Sequence, residues 1–175
     1  EGALQTALEI MSYINEVAQR LAKEDREMTW TTPDGTVITQ KYTKINRTFY
    51  ESETLGRMSI NKTTNKPDPS KCASSAAPNL VHSLDACMLR MVVKRMAELG
   101  HEDFAMIHDS YGVPAGHITT LNRVIREVAV EMFSGDWLRD EFAANLPNDI
   151  DLPEPPKQGN LDVAAELPSA VYFFS

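Results

Sequence analysis

The chain is 175 residues long, 42% hydrophobic and 24% charged, with a formal net charge of −8. That length suits one domain, or two small ones sharing an interface, and the composition is that of an ordinary globular protein, not a disordered or fibrous one. No window approaches the roughly 18 consecutive apolar residues of a membrane span, no signal peptide is expected, and Cys72 and Cys87 lack metal-ligand spacing, so an intracellular setting with no membrane partner is expected.

In chain order, Glu1 leads straight into an amphipathic pattern, which reads as part of something longer. Leu4, Leu8, Met11, Ile14, Val17, Ala18 and Leu21 recur at spacings of three and four and predict a helix over 3–24. Thr32-Pro33-Asp34-Gly35 is a turn signal between two short β-type runs, because Pro presets φ and Gly tolerates positive φ. A β-hairpin is expected there. Residues 42–60, rich in Tyr, Thr, Phe and Ile, read as an extended ribbon, and Asn61–Ser75 as a polar loop.

Six basic side chains stand against two acidic ones between Lys41 and Lys66, a local net of +4 inside an acidic chain. Potential is set by nearby charge more than by the total, so this island is a candidate interaction surface. Pro78 suits the first turn of a helix running to Leu99 and closed by Gly100. Its apolar stripe is Leu80, Val81, Leu84, Met88, Met91, Val92 and Met96. Phe104–Ile107 and Tyr111–Val113 predict two short strands around a turn that carries His108 and Asp109. A third helix at about 119–133 has Leu121, Val124, Ile125, Val128, Met132 and Phe133 on its apolar side. A short helix from Asp136 to about Asn145, a Pro-rich loop at 147–158 and an apolar tail, Val171-Tyr172-Phe173-Phe174, complete the order. The tail is expected to dock, since exposed apolar ends are a liability. The fold class implied is α+β with segregated strands.

Three features carry chemistry. An acid at a hairpin tip, as at Asp109, is placed to hold a divalent ion over a reacting phosphate; a plain turn Asp satisfying backbone donors is the competing reading. His82 and Asp85 stand three apart on one helix face, and a local His–Asp pair at the core edge explains them about as well. The basic ribbon interleaves Tyr42, Phe49 and Tyr50 with cations, which suits stacking on bases and neutralising phosphates. A solvated hairpin with ordinary cross-strand aromatic pairs is its alternative.

Together these features change the odds. Trp30-Thr31-Thr32-Pro33-Asp34-Gly35, Ala77-Pro78-Asn79-Leu80-Val81-His82-Ser83-Leu84-Asp85, Ile107-His108-Asp109-Ser110-Tyr111-Gly112, and Lys157-Gln158-Gly159-Asn160-Leu161 with Phe173-Phe174 stand in this order. The chain thereby resembles the C-terminal fingers and palm of bacteriophage- and mitochondrial-type single-subunit DNA-directed RNA polymerases, with Tyr111 in place of the usual Phe. The resemblance implies a palm-type β-hairpin packed on helices, with a specificity-loop-like β-ribbon inserted. It implies that 1–76 is fingers with the ribbon at about 42–62, 77–146 is palm, and 147–175 is a loop and docked tail.

The same resemblance makes Asp109 a ligand of catalytic Mg²⁺ and His108 a catalytic neighbour that seats the primer end. His82, Ser110 and Tyr111 would bind nucleotide or primer, His82 near the nascent base pair, where a 2′-hydroxyl marks RNA. Lys41, Lys44 and Arg57 would meet DNA, and Arg47, Phe49, Glu51 and Asn61 are candidates for reading promoter bases. Implied partners are a DNA template and promoter, nascent RNA and NTPs. The second catalytic Asp and the fingers Lys and Tyr have no counterpart here, so the remaining polymerase segment, or a second subunit, would supply them. The implied location is host cytoplasm for a phage protein, with the mitochondrion as the lesser alternative. Two other readings remain. One is a metal phosphohydrolase of the His-Asp type using His82, His108, Asp109 and Asp136 or Asp149. The other is a non-catalytic DNA-binding module built on the ribbon.

Overall fold

The computed structural model describes residues 2–107 and 109–173. The protein is α+β, and its described strands pair as three antiparallel hairpins between helices. It divides into two compact units. The first comprises residues up to Thr29, with Thr39–Ala77 and Asn148–Glu154; the second comprises Trp30–Ile38, Pro78–Pro147 and the residues from Pro155 onward.

In the first unit, α1 (Gly2–Lys23) forms on the expected period. Only its second half is inside: Tyr13, Ile14, Val17, Ala18 and Leu21 are buried, whereas Leu4, Leu8 and Met11 are exposed. The apolar stripe therefore outruns the core that is present to cover it. The helix ends where Asp25 turns to a φ of 55°, with the Arg26 amide donating to the Leu21 carbonyl at 2.9 Å and the Asp25 amide to Ala22 at 3.3 Å. That is the paired closure of a left-handed helix cap. Surface charges fasten the 148–154 segment to this helix and its end: Arg20 donates to Asp151 at 3.0 Å, and both guanidinium ends of Arg26 meet Asp149.

The ribbon of β3 (Thr43–Ser52) and β4 (Gly56–Pro67) is longer than expected. Residues Asn61–Pro67, read as polar loop, are strand, with Asn61, Lys62 and Thr63 opposite Arg47, Asn46 and Ile45. Polarity misleads here because both faces of this ribbon lie in solvent, and backbone pairing demands no buried face. The loop expected up to Ser75 shrinks to a single residue, Asp68. Its carboxylate accepts from the Ser70 and Lys71 amides at 3.1 and 3.2 Å, starting helix α2 (Pro69–Glu98) nine residues before the expected Pro78. Asp68 is an N-cap and Pro69 a first-turn proline, so the start signal lies here instead. Pro78 sits inside the helix, where it donates no backbone bond. Buried Gln40 ties β2 (Val37–Gln40) to α2 by donating to the Cys72 carbonyl at 2.9 Å.

In the second unit, the later part of α2 packs on α3 (Ile118–Phe133). Cys87, Met88, Val92 and Met96 meet Leu121, Val124, Ile125 and Val128 in one core cluster. Two residues of the expected stripes lie outside: Val81 and Phe133 are exposed. Strands β5 (Ala105–Ile107) and β6 (Ser110–Gly112) pair with Ala105 opposite Gly112 and Ile107 opposite Ser110. Their inner residues Met106 and Tyr111 are half-buried, and Tyr111 packs on the core with Phe104 and Val113. The helix expected at 136–145 is a π-helical segment, Leu138–Phe142, followed by one 3-10 turn, with Phe142 buried. The following Pro-rich stretch is irregular, as read.

The tail returns through a short helix α4 (Val163–Glu166) and one 3-10 turn, Leu167–Ser169. Leu167 and Phe173 pack against the core, so docking holds for them. It fails for Val171 and Tyr172, which are 82% and 90% exposed. Phe174 lies outside the described residues.

Candidate functional site

The turn 32–36 is the first element that positions the site. The Asp34 carboxylate accepts from the Thr32 hydroxyl at 2.6 Å and the Thr36 amide at 3.3 Å, and Gly35 takes a φ of 83° that a side chain would strain. The free oxygen of Asp34 receives Arg90 Nε from α2 at 2.5 Å, while Arg90 Nη2 donates to the Thr36 hydroxyl at 3.2 Å. The guanidinium and its turn hold the Asp34 carboxyl well below the usual carboxylate range. Two helical turns back along α2, buried Ser83 accepts from the Trp30 indole at 2.9 Å and donates its own hydrogen bond to the Leu80 carbonyl at 2.7 Å. Trp30 lies in β1 (Met28–Thr31), so the hairpin grips one side of α2 at two points.

His82, Asp85, Ala86, Leu89 and Arg90 of the same helix, with Asp109 of the hairpin turn, line an open cleft of about 570 Å³. His82, Asp85 and Asp109 are all solvent-accessible. Burial pushes the Tyr111 phenol above its ordinary value, and the charges of Asp85 and Asp109 add to that rise. Both carboxylates therefore act on one neighbourhood. The opposite side of the hairpin allows no slack: a Cβ on Gly112 would stand 2.9 Å from the Ala105 carbonyl oxygen.

The structure thus brings His82 and Asp109 to one cleft and sets Tyr111 beside it, with Ser110 exposed on β6. His108 lies outside the described residues. The sequence reading treats Asp85 only as a local partner of His82, and does not single out Arg90, Asp34 or Ser83. The Trp-Thr-Thr-Pro-Asp-Gly and His-Ser-Leu-Asp stretches were legible, but not that one grips the other.

The ribbon residues form a separate group in the first unit. Register places Arg47 opposite Asn61, Phe49 opposite Ser59 and Glu51 opposite Arg57, so five of the named residues share one face. Arg57 covers the Phe49 ring at 4.4 Å and Arg47 approaches it at 6.0 Å. The ring is thereby engaged by cations on its own hairpin. Tyr50, Met58 and Ile60 point to the other face and are exposed. Lys44 lies on β3 with its side chain in solvent; Lys41, before the ribbon, pairs loosely with Glu27 at 3.5 Å. Of the acids invoked for a phosphohydrolase, Asp149 is held by Arg26 in the first unit, and Asp109 follows a strand where that class uses a helix.

Among the described residues no three His, Cys, Asp or Glu side chains converge as a metal cage. Mg²⁺ does not need one, because it is held by one or two carboxylates with water and substrate phosphates. Asp109, with Asp85 lining the same cleft, offers oxygen donors of that hard kind. No described helix is long and apolar enough to cross a membrane.

Comparison with known proteins agrees with these motifs. Residues 1–148 match the family model of DNA-dependent RNA polymerase. DNA-directed RNA polymerase 1, mitochondrial, of Nicotiana sylvestris is 30% identical over 97% of this chain and 17% of its own length. The mitochondrial polymerase 1 of Arabidopsis thaliana is 30% identical over 99% of the chain and 18% of its own. DNA-directed RNA polymerase 2A of Nicotiana tabacum matches at the same identity over 51% of its length. The chain spans about a sixth of the length of the first two relatives. With the motifs in order and most of its residues matched, it belongs to the phage-type DNA-dependent RNA polymerase family.

Proposed function

We propose that this chain supplies one wall of the nucleotidyl-transfer site of a DNA-directed RNA polymerase, and a promoter-reading ribbon. The reading rests on family membership together with one observation: Asp109, Asp85, His82 and Arg90 line the same cleft. Asp109 is the carboxylate that holds catalytic Mg²⁺, and that ion supplies charge neutralisation as an RNA 3′-hydroxyl attacks an NTP α-phosphate. The second catalytic Asp and the fingers Lys and Tyr come from the rest of the polymerase, on the same chain or on another. His108 seats the primer end. His82 and Ser110 contact the nascent pair and the nucleotide, and Tyr111 supports the turn from its half-buried position. Residues up to 76 act as fingers, 77–146 as palm, and the remainder as loop and tail.

The ribbon meets promoter DNA through the face that carries Arg47, Arg57 and Asn61, with Glu51 as an acceptor. Phe49, clamped by two arginines, shapes that face instead of stacking on a base. Lys41 and Lys44 neutralise backbone phosphate. The protein works inside the cell or organelle where its template lies.

Asp109→Ala in the intact polymerase tests the assignment. RNA synthesis is expected to fall at least about a thousandfold while promoter binding stays within twofold. Unchanged elongation would overturn it. If binding alone is seen for wild type, with a steep salt dependence and no synthesis, the non-catalytic DNA-binding reading stands instead.

A further inference from the structure

We infer that Asp34 and Arg90 form a positioning latch for the cleft wall, so that the 32–36 turn acts on the reaction without touching substrate. The inference rests on the polymerase reading above and adds to it residues that lie outside the motif of the acid.

Three observations carry it. Arg90 is a cleft-lining residue on the helix that presents His82 and Asp85, one helical turn past Ala86. Its guanidinium is held at two nitrogens, by Asp34 at 2.5 Å and by Thr36 at 3.2 Å. Asp34 is itself locked by the Thr32 hydroxyl and the Thr36 amide, and its side chain retains only 16% exposure. A fork hydrogen-bonded at two nitrogens has one orientation, whereas Arg95 on the same helix makes a single hydrogen bond, to Glu131. Arg95 reaches Glu131 at 3.0 Å and Glu98 at 3.8 Å, with both partners more than half exposed.

Two turns earlier the Trp30–Ser83 bond fastens the same hairpin to the same helix. Asp85 lies between these two fixed points in sequence, two residues after Ser83 and five before Arg90, and His82 immediately precedes Ser83. The hairpin therefore sets the rotation of this stretch of α2, and with it where His82 and Asp85 stand relative to Asp109. A positional error of about an ångström at such a site costs up to about a hundredfold in rate.

The test compares Asp34→Asn, Arg90→Lys and the control Arg95→Ala in the intact polymerase, on a primed template. Each is measured for kcat, KM for NTP, thermal midpoint and Trp30 emission. Asp34→Asn and Arg90→Lys are expected to lower kcat about tenfold, with KM changed less than twofold. Arg95→Ala is expected to keep kcat within twofold. If the control loses kcat in the same proportion to its loss of thermal midpoint, or if both latch variants keep wild-type kcat, the latch is overturned. Asp109→Ala is run in parallel. Loss of activity there with normal kcat in the latch variants sinks only this inference, and full activity there sinks the polymerase assignment itself.

Discussion

At the scale of single residues, the site is governed by close approach and by charge. Gly112 sits opposite Ala105 where β5 and β6 come together, and an added methyl would press on a carbonyl oxygen at 2.9 Å and on the Ala105 Cβ at 3.1 Å. Both neighbours are on a paired strand and neither is the flexible end of a long side chain. Gly112→Ala is therefore expected to cost about 1–3 kcal/mol and to splay the hairpin that carries Asp109. Thermal denaturation reads the cost, and faster amide exchange at Met106 and Tyr111 locates it; unchanged exchange would count against the close approach. The sequence shows Gly112 after Tyr111 but not the contact, because the steric demand comes from the partner strand.

At the scale of elements, ribbon, hairpin and tail differ in what holds them. The ribbon is fixed by its ladder alone over most of its length, and its residues from Lys44 to Glu51 are all exposed. The tail is held by the packing of Leu167 and Phe173 on the core and by one arginine. Arg126 donates to the Leu167 and Ala170 carbonyls at 2.9 and 2.7 Å, is steadied by Asn122 at 3.0 Å, and lies 5.7 Å from the Phe173 ring. Arg126→Ala is expected to free this segment: limited proteolysis between 161 and 173 should quicken severalfold while the α2–α3 core melts within a few degrees of wild type. Arg126→Lys should restore little, since one ammonium cannot hold two carbonyls and a side-chain amide in that geometry. Equal protease resistance in both variants would contradict the anchoring role. Helices α1 and α3 were readable from their period, but the start of α2 and the length of β4 were not. Their polar, Lys- and Pro-bearing sequence looks like loop until Asp68 is seen to cap a helix and Asn61–Thr63 to pair with β3.

At the scale of the whole molecule, charge sets the pH range of stability. Asp34 has its folded value depressed by Arg90 and the turn, so its contribution is present above the unfolded carboxylate value of about 3.9 and is lost as pH falls below it. Burial raises the Cys72 and Cys87 thiols, so their cost grows as pH rises above about 8.5, and Tyr111 follows above about 10. The plateau of stability is expected from about pH 4 to about pH 8.5. Asp34→Asn should lower stability at pH 7 by about 1 kcal/mol, a figure discounted because Arg90 keeps 42% of its side chain in solvent. It should also flatten the decline below pH 4, and denaturant melts across pH read both effects. An acid limb as steep as wild type would assign that decline to other carboxylates.

The sequence by itself determined the α+β order, the turn at 32–35, the His-Asp hairpin, and the motifs that lead to the polymerase family, because period, turn chemistry and short motifs are local properties. Only the tertiary structure decided that Asp85 shares a cleft with Asp109 and that Asp34 holds Arg90. Those partners are 24 and 56 residues apart in the chain, and no periodicity reports which side chains meet across such a distance.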